Sequence, residues 1–178
     1  MSRYVAFLGS INVGGNRLTM ADLRWAFERE GFENVETVVA SGNVLFDFDD
    51  RPTDGLEELF AYMMADRFDI DSFAAVRSRD EVAQVLADNP FAADGEDNRV
   101  HVLFLSGDPE AASFERLVAD YAGRGPERLA PGRRALYIDY VDGVGSSRLT
   151  NAFMERRLGC RSTARSIRSL QRILEKMN

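Results

Sequence analysis

Apolar and polar positions change period repeatedly along this chain, and the changes mark elements of alternating type. Residues 3–9 open with an apolar run, read as a strand. Met20, Leu23 and Phe27 then recur on one helical face after Thr19 and Asp22, which stand at capping-box spacing; Gly31 stops this helix. Val35–Val39 and Val44–Phe48 alternate as two strands around Ala40-Ser41-Gly42-Asn43, a hairpin turn. Leu56, Leu59, Phe60, Met63, Met64 and Phe68 form one continuous helical stripe. Phe73–Val76 reads as a short strand. Ser78 and Glu81 form a capping box for a helix that ends at Asn89-Pro90.

After residues 91–97, a small, polar and acidic stretch read as a linker, the same order begins again. Val100–Leu105 is a strand. Asp108-Pro109 reads as a helix start, with Phe114, Leu117, Val118 and Tyr121 as the buried stripe. Strands from Arg128 and from Arg133 flank a turn at Pro131-Gly132. A loop over 142–147 leads to a helix expected from Arg148 to Leu158. A short extended piece, Cys160–Ala164, precedes a last helix carrying Ile167, Leu170, Ile173, Leu174 and Met177.

Both halves thus read β-α-β-β-α-β-α, with no strong residue-level repeat between them. This is the split βαβ, or ferredoxin-like, arrangement used twice in an α+β chain. The expected subdomains are residues 1–90 and 98–178. A unit of about 90 residues buries only a modest share of its surface, so the halves are expected to pack on each other.

Composition narrows the function classes. With 45% hydrophobic and 29% charged residues, the chain can fill a core and is neither disordered nor collagen-like. Its longest apolar run is seven residues, 59–65, against roughly 20 for a membrane span, and no signal-peptide core follows Met1. A cytoplasmic location is therefore expected. One cysteine, Cys160, excludes an intrachain disulfide, and with one histidine, His101, it excludes a zinc site of Cys and His. Charge is segregated: residues 1–147 carry a net -13 and residues 148–178 a net +6, which together make the -7 of the chain. The acidic body disfavours nucleic acid. Arg165, Arg168, Arg172 and Lys176 read as a basic stripe on the last helix, either a solvated face or a dock for an acidic partner.

Several segments, taken in order and spacing, resemble the domain-of-unknown-function family 1697, small bacterial proteins of about this length. They are Tyr4-Val5-Ala6-Phe7-Leu8, Ile11-Asn12-Val13-Gly14-Gly15-Asn16, Met20-Ala21-Asp22-Leu23-Arg24 and Ser41-Gly42-Asn43-Val44-Leu45-Phe46. Asn89-Pro90-Phe91 and Ser147-Arg148-Leu149-Thr150-Asn151 complete the set. The resemblance covers almost the whole chain. It implies a two-part α+β architecture and no reaction or cofactor. The chain departs from the family pattern twice. Where members read Leu-Arg-Gly-Ile-Asn-Val-Gly-Gly, this chain has Leu8-Gly9-Ser10-Ile11-Asn12-Val13-Gly14-Gly15, so Gly9 stands in place of the arginine. Ala164-Arg165-Ser166-Ile167 replaces Ala-Arg-Asn-Trp.

Two loops offer binding chemistry. Gly143, Gly145, Ser146, Ser147 and Arg148 collect flexible backbone, two hydroxyls and a guanidinium at an expected helix start, with Asn151 one turn on. Such a grouping suits a phosphate or carboxylate, because a helix start presents unpaired N–H groups and partial positive charge. The alternative is a flexible turn with a serine cap. Asn12, Gly14, Gly15 and Asn16 form the corresponding loop of the first half, without the family's arginine. Its spacing matches neither the phosphate-binding loop nor the dinucleotide fingerprint. Ser41-Gly42-Asn43 reads as turn chemistry, His101 as structural, and Cys160 as a buried small residue, or as a thiol whose pKa nearby arginines lower.

The best reading is a small module binding an anionic, phosphate-containing ligand, with a protein-interaction or structural module as the alternative. Single-stranded RNA binding is the weakest. The nearest strand, Ser41–Phe48, lacks the leading basic residue and both inner aromatics of an RNA-recognition strand.

Overall fold

A computed structural model of the 178-residue chain describes residues 1–9, 18–40 and 42–178. The first seven elements are β1 (Ser2–Leu8), α1 (Met20–Arg29), β2 (Glu33–Thr37), β3 (Asn43–Phe48), α2 (Thr53–Phe68), β4 (Ala74–Ser78) and α3 (Arg79–Asp88). They are followed by β5 (Val100–Leu105), α4 (Ala111–Tyr121), β6 (Arg128–Gly132), β7 (Ala135–Asp139), α5 (Asn151–Leu158), β8 (Ser162–Ser166) and α6 (Ile167–Lys176). The fold is α+β. Each half builds a four-stranded antiparallel sheet, ordered β2-β3-β1-β4 in the first and β6-β7-β5-β8 in the second. The chain clusters into two compact units, residues 1–83 with 172–178, and residues 84–171.

In the first unit, alternate positions of the sheet face α1 and α2. Tyr4, Ala6, Val44, Phe46 and Val76 join Leu23, Phe27, Phe60 and Met63 in one core. Phe27 is its centre. Its ring meets Phe32, Phe46 and Phe60 edge-on at 5.0, 5.5 and 5.7 Å, the arrangement favoured by aromatic quadrupoles. The other face of the sheet is buried too, at Val5, Phe7, Leu45 and Ala75. That is why β1 reads as an unbroken apolar run instead of alternating.

The capping boxes form as the spacing predicts. Thr19 Oγ1 accepts from Asp22 N at 3.1 Å and Asp22 answers the Thr19 N–H. Ser78 Oγ accepts from Glu81 N at 3.2 Å, while Glu81 accepts from Ser78 N at 3.0 Å. Glu81 also accepts from the Thr53 hydroxyl at 2.9 Å, tying the start of α3 to the start of α2. At the same junction Arg77 forms an ion pair with Glu57 of α2, at 2.6 Å between Nη1 and Oε2. The two side chains are only 2% and 8% exposed. The same Glu57 oxygen takes the Val76 N–H at 2.8 Å.

The second unit repeats this junction. β8 ends in Arg165-Ser166, and Ser166 Oγ accepts from Ser169 N at 3.2 Å as α6 begins. Arg165 therefore belongs to a strand and not to the basic stripe of the last helix. Burial pulls its pKa down to about 10, so it stays charged at neutral pH. Its Nη1 donates to Thr163 Oγ1 and to the Ala164 carbonyl, both at 2.8 Å.

Four other local expectations are corrected here. α4 starts at Ala111, with Glu110 as the N-cap, and the Asp108 carboxylate instead accepts the Arg134 N–H at 3.2 Å. The β6–β7 turn falls at Arg133-Arg134, where Arg134 takes φ +51°, and not at Pro131-Gly132. Pro131 sits inside β6 because β6 is an edge strand, where a missing N–H breaks no ladder. Val118, assigned to the buried stripe of α4, is 42% exposed. Finally, α5 begins at Asn151 and not at Arg148, since Thr150 Oγ1 accepts from Phe153 N at 3.1 Å and caps the helix. Among the described residues no helix is long and apolar enough to cross a membrane.

Candidate functional site

With α5 starting at Asn151, residues 143–148 are a loop and not a helix N-terminus. Gly143 takes φ +97°, a conformation glycine reaches without strain, and Val144–Ser146 make one 3₁₀ turn. Ser146 turns its hydroxyl inward, donating to the Asp142 carbonyl at 3.2 Å. Ser147 donates to Glu127 Oε1 at 2.8 Å and accepts from Leu149 N at 3.0 Å. Its own N–H goes to the Val144 carbonyl at 3.1 Å. Both serine hydroxyls and the Ser147 N–H, expected as ligand donors, are thus engaged within the protein. Arg148 is exposed, and among the described residues it forms no ion pair. Asn151 is exposed as the first residue of α5.

The carboxylate that holds Ser147 was not singled out from sequence. Glu127 lies just before β6, and the buried Tyr121 at the end of α4 donates to its Oε2 at 2.6 Å. Burial alone would raise the Glu127 pKa, but the bonds from Tyr121, the Glu127 backbone N–H and Ser147 outweigh it, so the carboxyl lies below its usual value. The Tyr121 hydroxyl is pushed up by burial and by Glu127, with Arg148 pulling the other way. Burial, helped by Glu127 and Tyr121, raises Tyr140 to about 12. Tyr121 and Glu127 line a depression of about 170 Å³ whose other walls include Val118, Ala122, Gly125 and Leu129. A side chain at Gly125 would collide with both Glu127 and the Tyr121 hydroxyl. Glycine there lets the chain pass close over the pair. A spacing-based reading could not find this cluster, because it joins α4, the start of β6 and the 143–148 loop.

The other candidates distribute elsewhere. Asn12, Gly14, Gly15 and Asn16 lie outside the described residues, as does Ser41. Gly42 and Asn43 belong to a tight turn closed by Asn43 N donating to the Ala40 carbonyl at 3.2 Å. Arg168 of α6 pairs with Asp97 at 2.9 Å. Burial raises the Cys160 thiol, against the lowering expected from neighbouring arginines, so thiolate is scarce at neutral pH. Among the described residues, no group of three or more His, Cys, Asp and Glu side chains is placed to hold a metal ion.

His101 stands edge-on to Tyr140 at 5.0 Å, with Nδ1 3.2 Å from the Arg99 carbonyl. Burial lowers its pKa below the ordinary 6.5, against a smaller upward pull from Arg99. The folded state therefore holds the neutral ring more strongly than the unfolded chain does. That contribution is full above about pH 6.5 and is lost as pH falls through the lowered folded value. Urea unfolding from pH 7.5 to 5 is expected to show a decline in stability that His101→Gln reduces. Identical pH slopes in both proteins would refute this assignment.

A second surface feature lies in the first unit. Trp25 of α1 is 49% exposed, and the guanidinium carbons of Arg29 and Arg67 lie 5.5 and 5.3 Å from its ring centre. Arg67 is held there by Glu30 at 2.8 Å. Beside Trp25 a shallow depression of about 340 Å³ is lined by Met20, Ala21, Arg24 and Glu28.

Comparison with known proteins gives a family and a fold. The model of a family described as "Protein of unknown function (DUF1697)" matches residues 1–137. A solved structure of a conserved bacterial protein from Streptococcus pneumoniae is similar at 22% identity, with a TM-score of 0.68, over 99% of this chain and 98% of that one. No curated protein matches.

Proposed function

We propose, from the premise that the chain belongs to the DUF1697 family, that it is a binding module for a small phosphate-containing ligand held at the 143–148 loop. The observation that carries this reading is the position of Arg148. It is exposed, has no ion pair among the described residues, and follows Ser147, which Glu127 pins beside an open depression. A fixed loop presenting an uncommitted guanidinium is suited to an anion. The internal use of the Ser146 and Ser147 hydroxyls narrows the reading: Arg148, and not the serines, is the main contact.

The test is a thermal-shift screen of wild type and Arg148→Ala with phosphate, sulfate and nucleotides. A ligand at 100 times its Kd stabilises the fold by about 2.7 kcal/mol. The expected result is a shift in the wild type that Arg148→Ala loses. Equal shifts in both proteins would place the site elsewhere.

The alternative, a protein-interaction module, is favoured by the half-exposed Trp25 between two arginines, since exposed tryptophan and arginine are common interface anchors. It takes first place if no anion shifts the wild type. Single-stranded RNA is disfavoured. The sheet face that RNA-recognition folds use for stacking has no open counterpart in the first unit, where both faces are buried.

A further inference from the structure

We infer that the ligand of the 143–148 loop is an aminoalkyl phosphate, its phosphate facing Arg148 and its ammonium facing the Glu127 carboxylate. This rests on the anion-binding reading for its phosphate half and adds the second charge. Glu127 accepts one hydroxyl on each oxygen, from Ser147 at 2.8 Å and Tyr121 at 2.6 Å. An ionised carboxylate has about four acceptor positions, and with the bond from the Glu127 backbone N–H also taken, roughly one remains for a ligand. The two hydroxyls also fix the carboxylate in place before a ligand arrives, which lowers the entropic cost of binding.

The surroundings favour an organic cation over a bare ion. Val118, Ala122 and Leu129 line the same depression, and its volume of about 170 Å³ holds only a short carbon chain. Val118 is 42% exposed, and Val144, on the loop itself, is 50% exposed. These are the only exposed large hydrophobics among the described residues of the second unit. Carbon next to a carboxylate suits an alkylammonium, which donates up to three N–H bonds while its methylenes leave water. The opposite charge is close in sequence and in space. Ser147 bonds Glu127, Arg148 follows it, and Glu127 and Arg148 pull the Tyr121 hydroxyl in opposite directions. Glu127 would repel a bare phosphate drawn to Arg148. A ligand that brings its own ammonium turns that repulsion into a contact and gains selectivity over simple phosphates.

The experiment is isothermal titration of the full chain with O-phosphoethanolamine and with ethyl phosphate, which lacks the ammonium. Wild type is expected to bind O-phosphoethanolamine at least tenfold more tightly. Glu127→Gln is expected to erase that preference, weakening O-phosphoethanolamine binding and strengthening ethyl phosphate binding as the repulsion is removed. Val118→Lys, at an exposed position, places a competing ammonium beside Glu127 and is expected to erase it as well. Equal affinities in wild type, or a preference that survives both variants, would overturn the inference and leave the anion reading standing. Failure of the wild type to bind either phosphate would overturn both. Cosedimentation with phosphatidylethanolamine vesicles separates the sources. Glu127-dependent pelleting assigns the aminoalkyl phosphate to a lipid headgroup, and its absence alongside tight O-phosphoethanolamine binding assigns it to a free small molecule.

Discussion

Glu57→Ala is expected to destabilise the protein by about 3–5 kcal/mol, the usual cost of breaking a buried ion pair from one side. For a chain of this size that lowers Tm by roughly 6–20 °C. The guanidinium of Arg77 is 2% exposed and cannot recover in water what it loses when the carboxylate is removed. The Val76 N–H, in the strand that closes the first sheet, loses its acceptor at the same time. The combined replacement Glu57→Leu with Arg77→Met removes both charges and is expected to restore most of the loss. Urea unfolding of the three proteins checks this. A cost below 1 kcal/mol for Glu57→Ala would show that solvent or other groups replace the pair.

Phe27→Ala is expected to cost a similar 3–5 kcal/mol for a different reason, a cavity among rings that cannot collapse into it. Phe32, Phe46 and Phe60 contact this one ring from the loop after α1, from β3 and from α2. All four rings are held by separate elements, so closing the gap would require moving a helix against the sheet. Denaturant unfolding gives the cost, and near-ultraviolet circular dichroism reports the loosened aromatic packing. A cost below 1 kcal/mol with an unchanged spectrum would show that the core repacks freely.

The two effects differ in how visible they are in the sequence. Phe27 stands out because Met20, Leu23 and Phe27 repeat at helical spacing behind a capping box, so its burial follows from period alone. Glu57 does not, because it looks like any charged residue near the start of a long amphipathic helix. Its partner lies twenty residues away in a strand whose register only the folded sheet defines. Element order and both capping boxes were legible because they depend on neighbours within four residues. The misplaced boundaries share a cause: a stronger local signal stood beside the true one. Pro131-Gly132 is better turn chemistry than Arg133-Arg134, yet pairing with β7 carries β6 through it. Asp108-Pro109 is a better helix start than Glu110, but Asp108 is occupied by the Arg134 backbone. Arg165, Arg168, Arg172 and Lys176 fit a helical stripe by spacing, though the first is in a strand.

The candidate site was legible only in part. The glycines, serines and Arg148 announce a loop with donors, but whether those donors are free depends on Glu127, a residue with no distinguishing spacing. Tyr121 entered the sequence reading as one more apolar position of α4. The hydroxyl that gives it a second role acts on a residue beyond the helix end.

The make-up of the first unit sets an order on synthesis. It joins residues 1–83 to residues 172–178, with Arg79 Nε donating to Asn178 Oδ1 at 2.6 Å. A ribosome therefore has to produce all of residues 84–171 before the first unit can be completed. At about 5–20 residues per second, that interval lasts roughly 4–18 s. The N-terminal sheet can pair its four strands once Ser78 has emerged, yet it waits through that interval without residues 172–178. Vectorial synthesis thus cannot finish the halves one after the other, and the nascent first half has to persist as an incomplete unit, open to chaperones and proteases, until the second has been made.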